Sequence, residues 1–389
     1  MKEFIQYAGA YLKKLDKGII FSVLLCSGLS IVLLYSLYAN HILDDVDAGD
    51  YITQLLASAI GLVILLILAA IDYKKIIKLW FIYAPIALIL SLLVFTPLGY
   101  RRAGADDQAW LNFGAFSIQP SEILKLAFIL SISLHLSKDE ENMNHPLHML
   151  LLIIHGMIPI GIVAVQGDYG TAIVFSMIFL TMMIFAKISW KYVLAGLIAI
   201  PAVAVLLWNF VLGNTHKKRI LVLLHPGTDP EGLEYQQDLG LVSLASGKIF
   251  GKGLFNENSD YITVPEMHND FIFAYIGQVF GFVGSVAVVL ILMFLCIKIL
   301  FDGIRSEDRQ GMFLCIGVFA MLFTHCFMNI GMVLKVMPVI GVPLPFLSAG
   351  GTAMLSMYIS IGFVLSTYSH RKNPNLFYTK KDNIKKGLK

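Results

Sequence analysis

Residues 264–278 read VPEMHNDFIFAYIGQ, and the whole chain is best read outward from them. Pro265, Glu266, His268 and Asp270 stand immediately before an apolar run that continues to about residue 300. Roughly 20 apolar residues in a helix cross a hydrocarbon core of about 30 Å, so the run is a membrane span. Insertion does not require a polar cluster at the mouth of that span. Either Asn269 and Asp270 start the helix, as good capping residues do, or the helix holds Asp270 for chemistry.

The rest of the chain is equally apolar. Of 389 residues, 57% are hydrophobic and 14% charged, against roughly a quarter charged in a soluble domain. The apolar residues arrive in blocks long enough to span, which gives an all-α polytopic membrane protein. No nucleic-acid partner is expected. Cys26, Cys296, Cys315 and Cys326 lie inside apolar blocks without CxxC spacing, so they read as buried thiols and not as a disulfide or zinc framework. The first block lacks a small-residue cleavage site and further spans follow, so it reads as a retained span.

Ten spans are expected, near 18–39, 51–71, 77–97, 120–137, 147–165, 170–186, 192–212, 271–300, 311–333 and 347–368. With the N-terminus inside, the inner segments carry 20 of the 29 Lys and Arg residues, the outer loops carry 8, and Lys125 falls within a span. That asymmetry places both termini in the cytoplasm. The longest loop, about 213–270 between spans seven and eight, then lies outside, and Asp270 closes it. Residues 1–370 form a single membrane domain, and 371–389 a basic cytoplasmic tail that either meets anionic lipid or is simply solvated.

Charged residues inside spans cost about 2.5–3.5 kcal/mol each on insertion scales, so each asks for a reason. In QPSEILK (119–125), Pro120 suits a first helical turn, Glu122 meets the positive end of the helix dipole, and Lys125 follows one turn later. The pair is either a structural bridge or part of a cavity wall. In VQGDYGTAIV, Asp168 stands at the outer mouth of another span, flanked by Gly167, Gly170 and Ala172, where close packing or simple capping are both available. Residues 329–354, NIGMVLKVMPVIGVPLPFLSAGGTAM, are apolar but too rich in proline and glycine for a regular helix. Backbone of that kind is tolerated at membrane depth only where protein buries it or a cavity adjoins it; Asn329, Lys335, Ser348 and Thr352 offer it polar contacts. SGKIFGKGLF (246–255) lacks P-loop spacing and lies outside. Lys248, Lys252 and the HKKR run at 216–219 can instead steer a diphosphate headgroup or meet anionic lipid.

In order and spacing, QPSEILK, QGDYGTA (166–172), GKGLF (251–255), PEMHNDFIFA (265–274) and NIGMVLKVMPVIGVPLPFLSAGGT (329–352) resemble the SEDS family (shape, elongation, division and sporulation), in particular its RodA branch. The resemblance runs from about residue 15 to 370. It implies a ten-span peptidoglycan glycosyltransferase of the bacterial cytoplasmic membrane, acting in cell-wall elongation. Such an enzyme polymerises lipid II into β-1,4-linked strands at the outer leaflet, beside a class B penicillin-binding protein in the elongation complex. It also implies Asp270 as the catalytic base, Glu122 and Lys125 as a supporting pair, and a role for Trp110. Substrate contacts are expected of Trp110, Asp168, Glu266, His268, Lys248, Lys252 and Ser348. No certain cofactor follows; a divalent cation, Mg or Mn, would find no clear ligand cluster. The sequence departs from the family at GQVFG (277–281), Ala349 and Lys335. The rival reading is a flippase or other transporter of a lipid-linked precursor, which would place ionisable groups near the bilayer midplane; here Asp168 and Asp270 sit at the outer face.

Overall fold

Aspartates set the start of several helices in the computed structural model, which describes residues 14–43, 46–101, 107–114, 117–138, 143–225, 227, 229, 232–256 and 259–370. The basic tail and the first lysines of the orientation argument lie outside the described residues. Helix α1 (Lys17–Ala39) begins where Asp16 accepts from the amides of Gly18 and Ile19. Helix α2 (Ala48–Ala70) opens with a capping box of Asp47 and Asp50. A short α3 (Tyr73–Ile77) and α4 (Trp80–Leu93) follow. A three-stranded antiparallel sheet, β1 (Gly99–Tyr100), β2 (Trp110–Asn112) and β3 (Ser117–Ile118), then leads into α5 (Pro120–Lys138). Next come α6 (Pro146–Val165), α7 (Tyr169–Phe185) and α8 (Trp190–Leu206), the last running into a π-helical turn over Leu207–Val211. The long loop contains α9 (Asn214–Leu224) and α10 (Leu233–Ser246), and the chain closes with α11 (Ile272–Ile304), α12 (Arg309–Val333) and α13 (Gly351–Ser369).

Seven of these helices are long and apolar enough to cross a membrane: α1, α2, α5, α6, α11, α12 and α13. The expected spans at 77–97, 170–186 and 192–212 are represented by the shorter α4, α7 and α8. The fold is all-α and multi-pass apart from the small sheet.

Helices α5, α12 and α13 are the most buried of the long helices and carry polar residues inward. Glycines let neighbours approach closely. A Cβ on Gly61 of α2 would lie 2.7 Å from the Tyr358 ring of α13, and one on Gly317 of α12 would lie 2.8 Å from Ile129 of α5. At one end of the bundle, Lys298 pairs with Asp16 at 2.8 Å, and Asp308 receives Lys74 at 2.7 Å and the Tyr73 hydroxyl at 2.5 Å. These contacts tie α1 to α11 and α3 to α12. The sheet, the long loop and Asp270 occupy the opposite end.

Helix α11 is not one rod. Gly281 adopts φ 67° and ψ −164°, breaking the helix. Residues 248–253 fill the break. The Lys252 and Gly253 amides donate to the Gln278 and Val279 carbonyls at 2.9 and 3.0 Å, while Phe282 and Val283 donate to the Lys248 and Ile249 carbonyls at 2.8 and 3.1 Å. The stretch that superficially suggests a phosphate cradle thus spends these backbone groups on the broken helix.

Candidate active site

The segment before α11 is a tight turn around Glu266, which has φ 57° and whose carbonyl accepts from the Asn269 and Phe271 amides, each at 3.1 Å. The N-cap position of α11 is Phe271, and no side chain caps the helix. Asp270 stands one residue before that position. Its carboxylate lines a cavity of about 380 Å³ at this end of the bundle.

The cavity draws its walls from distant parts of the chain. Trp110 comes from β2, Gln119 from the entry to α5, Asp168, Tyr169 and Gly170 from the entry to α7, and His216 and Arg219 from α9. Glu266 and Asn269 flank Asp270, and Val339, Ile340, Gly341 and Pro343 form the facing loop.

The loop is held at several points. Asn329 Nδ2 donates to the Asp270 carbonyl at 2.7 Å and to the Val342 carbonyl at 2.8 Å, clamping loop and turn together. Arg219 Nη1 donates to the Val339 carbonyl at 3.0 Å. A Cβ on Gly341 would sit 3.4 Å from Asp270 Oδ2, so the backbone passes directly against the carboxylate. Gly170 leaves no room either: its Cβ would lie 2.3 Å from the Ile340 carbonyl oxygen.

Asp168 caps α7, accepting from the Thr171 amide at 3.0 Å and from Gln119 Nε2 at 3.1 Å. Burial pushes its carboxyl up to about 6, with Asp107 adding to the rise and the Thr171 bond opposing it.

Away from the cavity lining, Glu122 and Lys125 are 2% and 1% exposed and pair at 2.8 Å. Glu122 also accepts from Ser356 of α13 at 2.5 Å, and Lys125 Nζ lies 3.1 Å from His325 Nε2 of α12. An ammonium only donates, so His325 Nε2 accepts and Nδ1 carries the proton; Nδ1 lies 3.1 Å from the Pro343 carbonyl, which takes it. The buried pair therefore reaches the cavity loop through one imidazole.

Of the residues expected from sequence, the structure brings Trp110, Asp168, Glu266 and Asp270 into one cavity. The others lie elsewhere. Ser348 is buried and its hydroxyl accepts the Leu344 amide at 2.8 Å, shaping the loop from behind. The His268 carbonyl accepts from Ala349, and its Nε2 lies 3.0 Å from Asn269 Nδ2. Lys248 and Lys252 sit at the α11 break, where Lys252 Nζ donates to the Asp260 carbonyl at 2.6 Å. Sequence reasoning did not find His325 or Ser356, although a histidine within the apolar stretch FTHCF was a visible signal. Among the described residues, no group of three or more His, Cys, Asp or Glu is arranged to hold a metal.

Residues 16–373 match the model of a family described as cell cycle protein, comprising FtsW, RodA and SpoVE. The peptidoglycan glycosyltransferase MrdB of Escherichia coli K12 is 32% identical over 317 residues, covering 81% of this chain and 84% of that protein. A probable peptidoglycan glycosyltransferase FtsW of Bacillus subtilis is 29% identical, covering 97% of this chain and 98% of its own. A chain from a solved structure described as structural coordination of polymerization and crosslinking by a peptidoglycan synthase complex superposes with a TM-score of 0.77. It is 24% identical and covers 92% of this chain and 99% of its own, a likeness of fold.

Proposed function

Because this chain belongs to the FtsW/RodA/SpoVE family of SEDS proteins, we propose that it is a peptidoglycan glycosyltransferase that polymerises lipid II, with Asp270 as general base. The observation that carries the assignment is the placement of Asp270: it stands at the mouth of a membrane helix and lines a cavity shared with Trp110, Asp168 and Glu266.

The chemistry follows from what glycosyl transfer needs. Asp270 takes the proton of the acceptor's 4-hydroxyl as that oxygen attacks the donor's anomeric carbon, a contribution of about 10²–10⁴-fold. The diphosphate departs from the opposite face, so direct displacement yields a β link from an α-linked donor. A diphosphate leaves readily, so one carboxylate suffices where hydrolases use two. Trp110, Asp168 and Glu266 contact substrate in the cavity. His268 and Ser348 shape its wall from behind, and Lys248 and Lys252 attract the anionic headgroup at the membrane surface. Glu122 and Lys125 hold the loop through His325. A divalent cation, Mg or Mn, would offset charge on the diphosphate, but no group of described residues is arranged to hold one, and no step is assigned to it.

In this reading the chain makes ten spans, counting α4, α7 and α8, with residues 1–370 as one domain, the long loop outside and both termini in the cytoplasm. The basic tail 371–389 lies along the inner leaflet. The partner is a class B penicillin-binding protein of the elongation complex, in keeping with the crosslinking activity named for the similar solved complex.

The test is polymerisation of lipid II by the purified protein, alone and with a candidate transpeptidase, comparing wild type with Asp270→Asn. Glycan strands from wild type and none from a folded variant are expected. If neither polymerises and both move lipid II across liposomes, the transporter reading replaces this one.

A further inference from the structure

The outer loops and the outer end of α12 carry several cations, yet among the described residues Arg219 is the one lysine or arginine that lines the cavity. The HKKR run explains why. Its residues lie on an 11-residue helix, α9, and positions three apart share a face. His216 and Arg219 face the cavity, whereas Lys218 is exposed and Lys217 places its ammonium 6.0 Å from the centre of the Trp208 ring.

We propose that Arg219 is a catalytic residue that holds the leaving diphosphate of the donor, with His216 beside it. This rests on the glycosyltransferase reading and fixes which way round the two substrates lie. Arg219 is anchored on the Val339 carbonyl at 3.0 Å, and a Cβ on Gly341, two residues on, would lie 3.4 Å from Asp270 Oδ2. The short Val339–Gly341 segment therefore separates guanidinium from carboxylate. Asp107, Asp168 and Glu266 join Asp270 in the lining, so among the described residues the α9 side is the one that favours an anion of two or more charges. The donor diphosphate lies against α9 and the acceptor hydroxyl at Asp270. As the acceptor oxygen bonds to the anomeric carbon, its proton passes to Asp270. The bond from that carbon to the diphosphate oxygen breaks, and its electron pair leaves with the polyprenyl diphosphate beside Arg219. A guanidinium suits this task because it presents several donors in a plane to phosphate oxygens. His216 is held edge-on against Tyr169, ring centres 4.5 Å apart, which fixes the α9 face relative to Asp168.

The experiment compares wild type, Arg219→Gln, Arg219→Lys, Lys218→Ala and Asp270→Asn in detergent at fixed Mg²⁺. It measures lipid II polymerisation together with equilibrium binding of farnesyl diphosphate and farnesyl monophosphate. Loss of a charge-stabilising donor of this type lowers kcat by about 10²–10³-fold, and that is expected of Arg219→Gln, with partial recovery in Arg219→Lys. Wild type and Asp270→Asn should prefer the diphosphate probe to the monophosphate, and Arg219→Gln should lose that preference. Lys218→Ala should match wild type in both assays. A purely structural role for Arg219, exerted through its bond to Val339, would lower stability in Arg219→Gln and leave the probe preference intact; that result overturns the proposal. Wild-type turnover by Asp270→Asn would overturn the base assignment instead, and the two failures are read from different variants.

Discussion

Replacing Lys125 by methionine isolates what the buried network does. The substitution keeps the length of the side chain and removes the ammonium from between Glu122 Oε1, 2.8 Å away, and His325 Nε2, 3.1 Å away. Glu122 is 2% exposed, and the Ser356 hydroxyl would remain bonded to it. Breaking a buried pair by removing one member costs about 3–5 kcal/mol, whereas replacing both members by neutral groups of similar size is often harmless. Lys125→Met should therefore lower the apparent Tm by roughly 5–10 °C, and Glu122→Gln/Lys125→Met should recover most of that loss. Polymerisation should separate from stability. His325 loses the donor that fixes its tautomer, so its grip on the Pro343 carbonyl slackens, and both variants should be slower at temperatures where both are folded. Thermal unfolding followed by size-exclusion chromatography reads the first quantity, and lipid II polymerisation the second. If the double variant is as unstable as the single one, the cost is not that of an uncompensated charge. If its turnover is that of wild type, the network does not act through the loop.

Three further outcomes follow from the geometry. Gly170→Ala places a methyl group 2.3 Å from the Ile340 carbonyl, so the loop must move; polymerisation should fall at least tenfold with little change in expression. Asn329→Ala removes donors from the Asp270 and Val342 carbonyls, at about 1–3 kcal/mol for the groups left unpaired, and should lower both Tm and kcat. Asp168 titrates near 6 when folded, against 3.8 for its ordinary value. The folded chain thus binds more protons between these values, and stability falls as pH rises through that window, by at most about 3 kcal/mol. Thermal scans at pH 4.5 to 7 should show this slope in wild type and lose it in Asp168→Asn.

Much of this was legible in the sequence because the bilayer enforces it. Apolar length located the seven helices long enough to cross a membrane, and the expected spans at 77–97, 170–186 and 192–212 came out as the shorter α4, α7 and α8. The motif resemblance picked out Asp270, and the proline-rich stretch was read as irregular backbone; its residues Val339, Ile340, Gly341 and Pro343 line the cavity. What escaped depends on pairing across the bundle. The partner of Lys125 on α12 is 200 residues away, and no spacing rule joins His325 to it. Lys248 and Lys252 drew attention as cations, but local backbone bonding determines where they sit. The HKKR run was visible as charge; only the phase of α9 separates Arg219 from its two lysine neighbours.

The break at Gly281 bears on how the chain enters the membrane. Each backbone group left unpaired in hydrocarbon costs several kcal/mol, and four such groups at the break are paired with residues 248–253. These residues are synthesised before the helix that needs them, so they are already available when residues 278–283 emerge. A Cβ on Gly251 would lie 2.0 Å from the Val279 carbonyl oxygen, and one on Gly281 2.4 Å from the Gly251 amide nitrogen; the seam admits nothing larger than glycine on either side. The helix that follows Asp270 is thus assembled from two separated pieces of chain, and its first turns are complete only once the long loop has folded onto them.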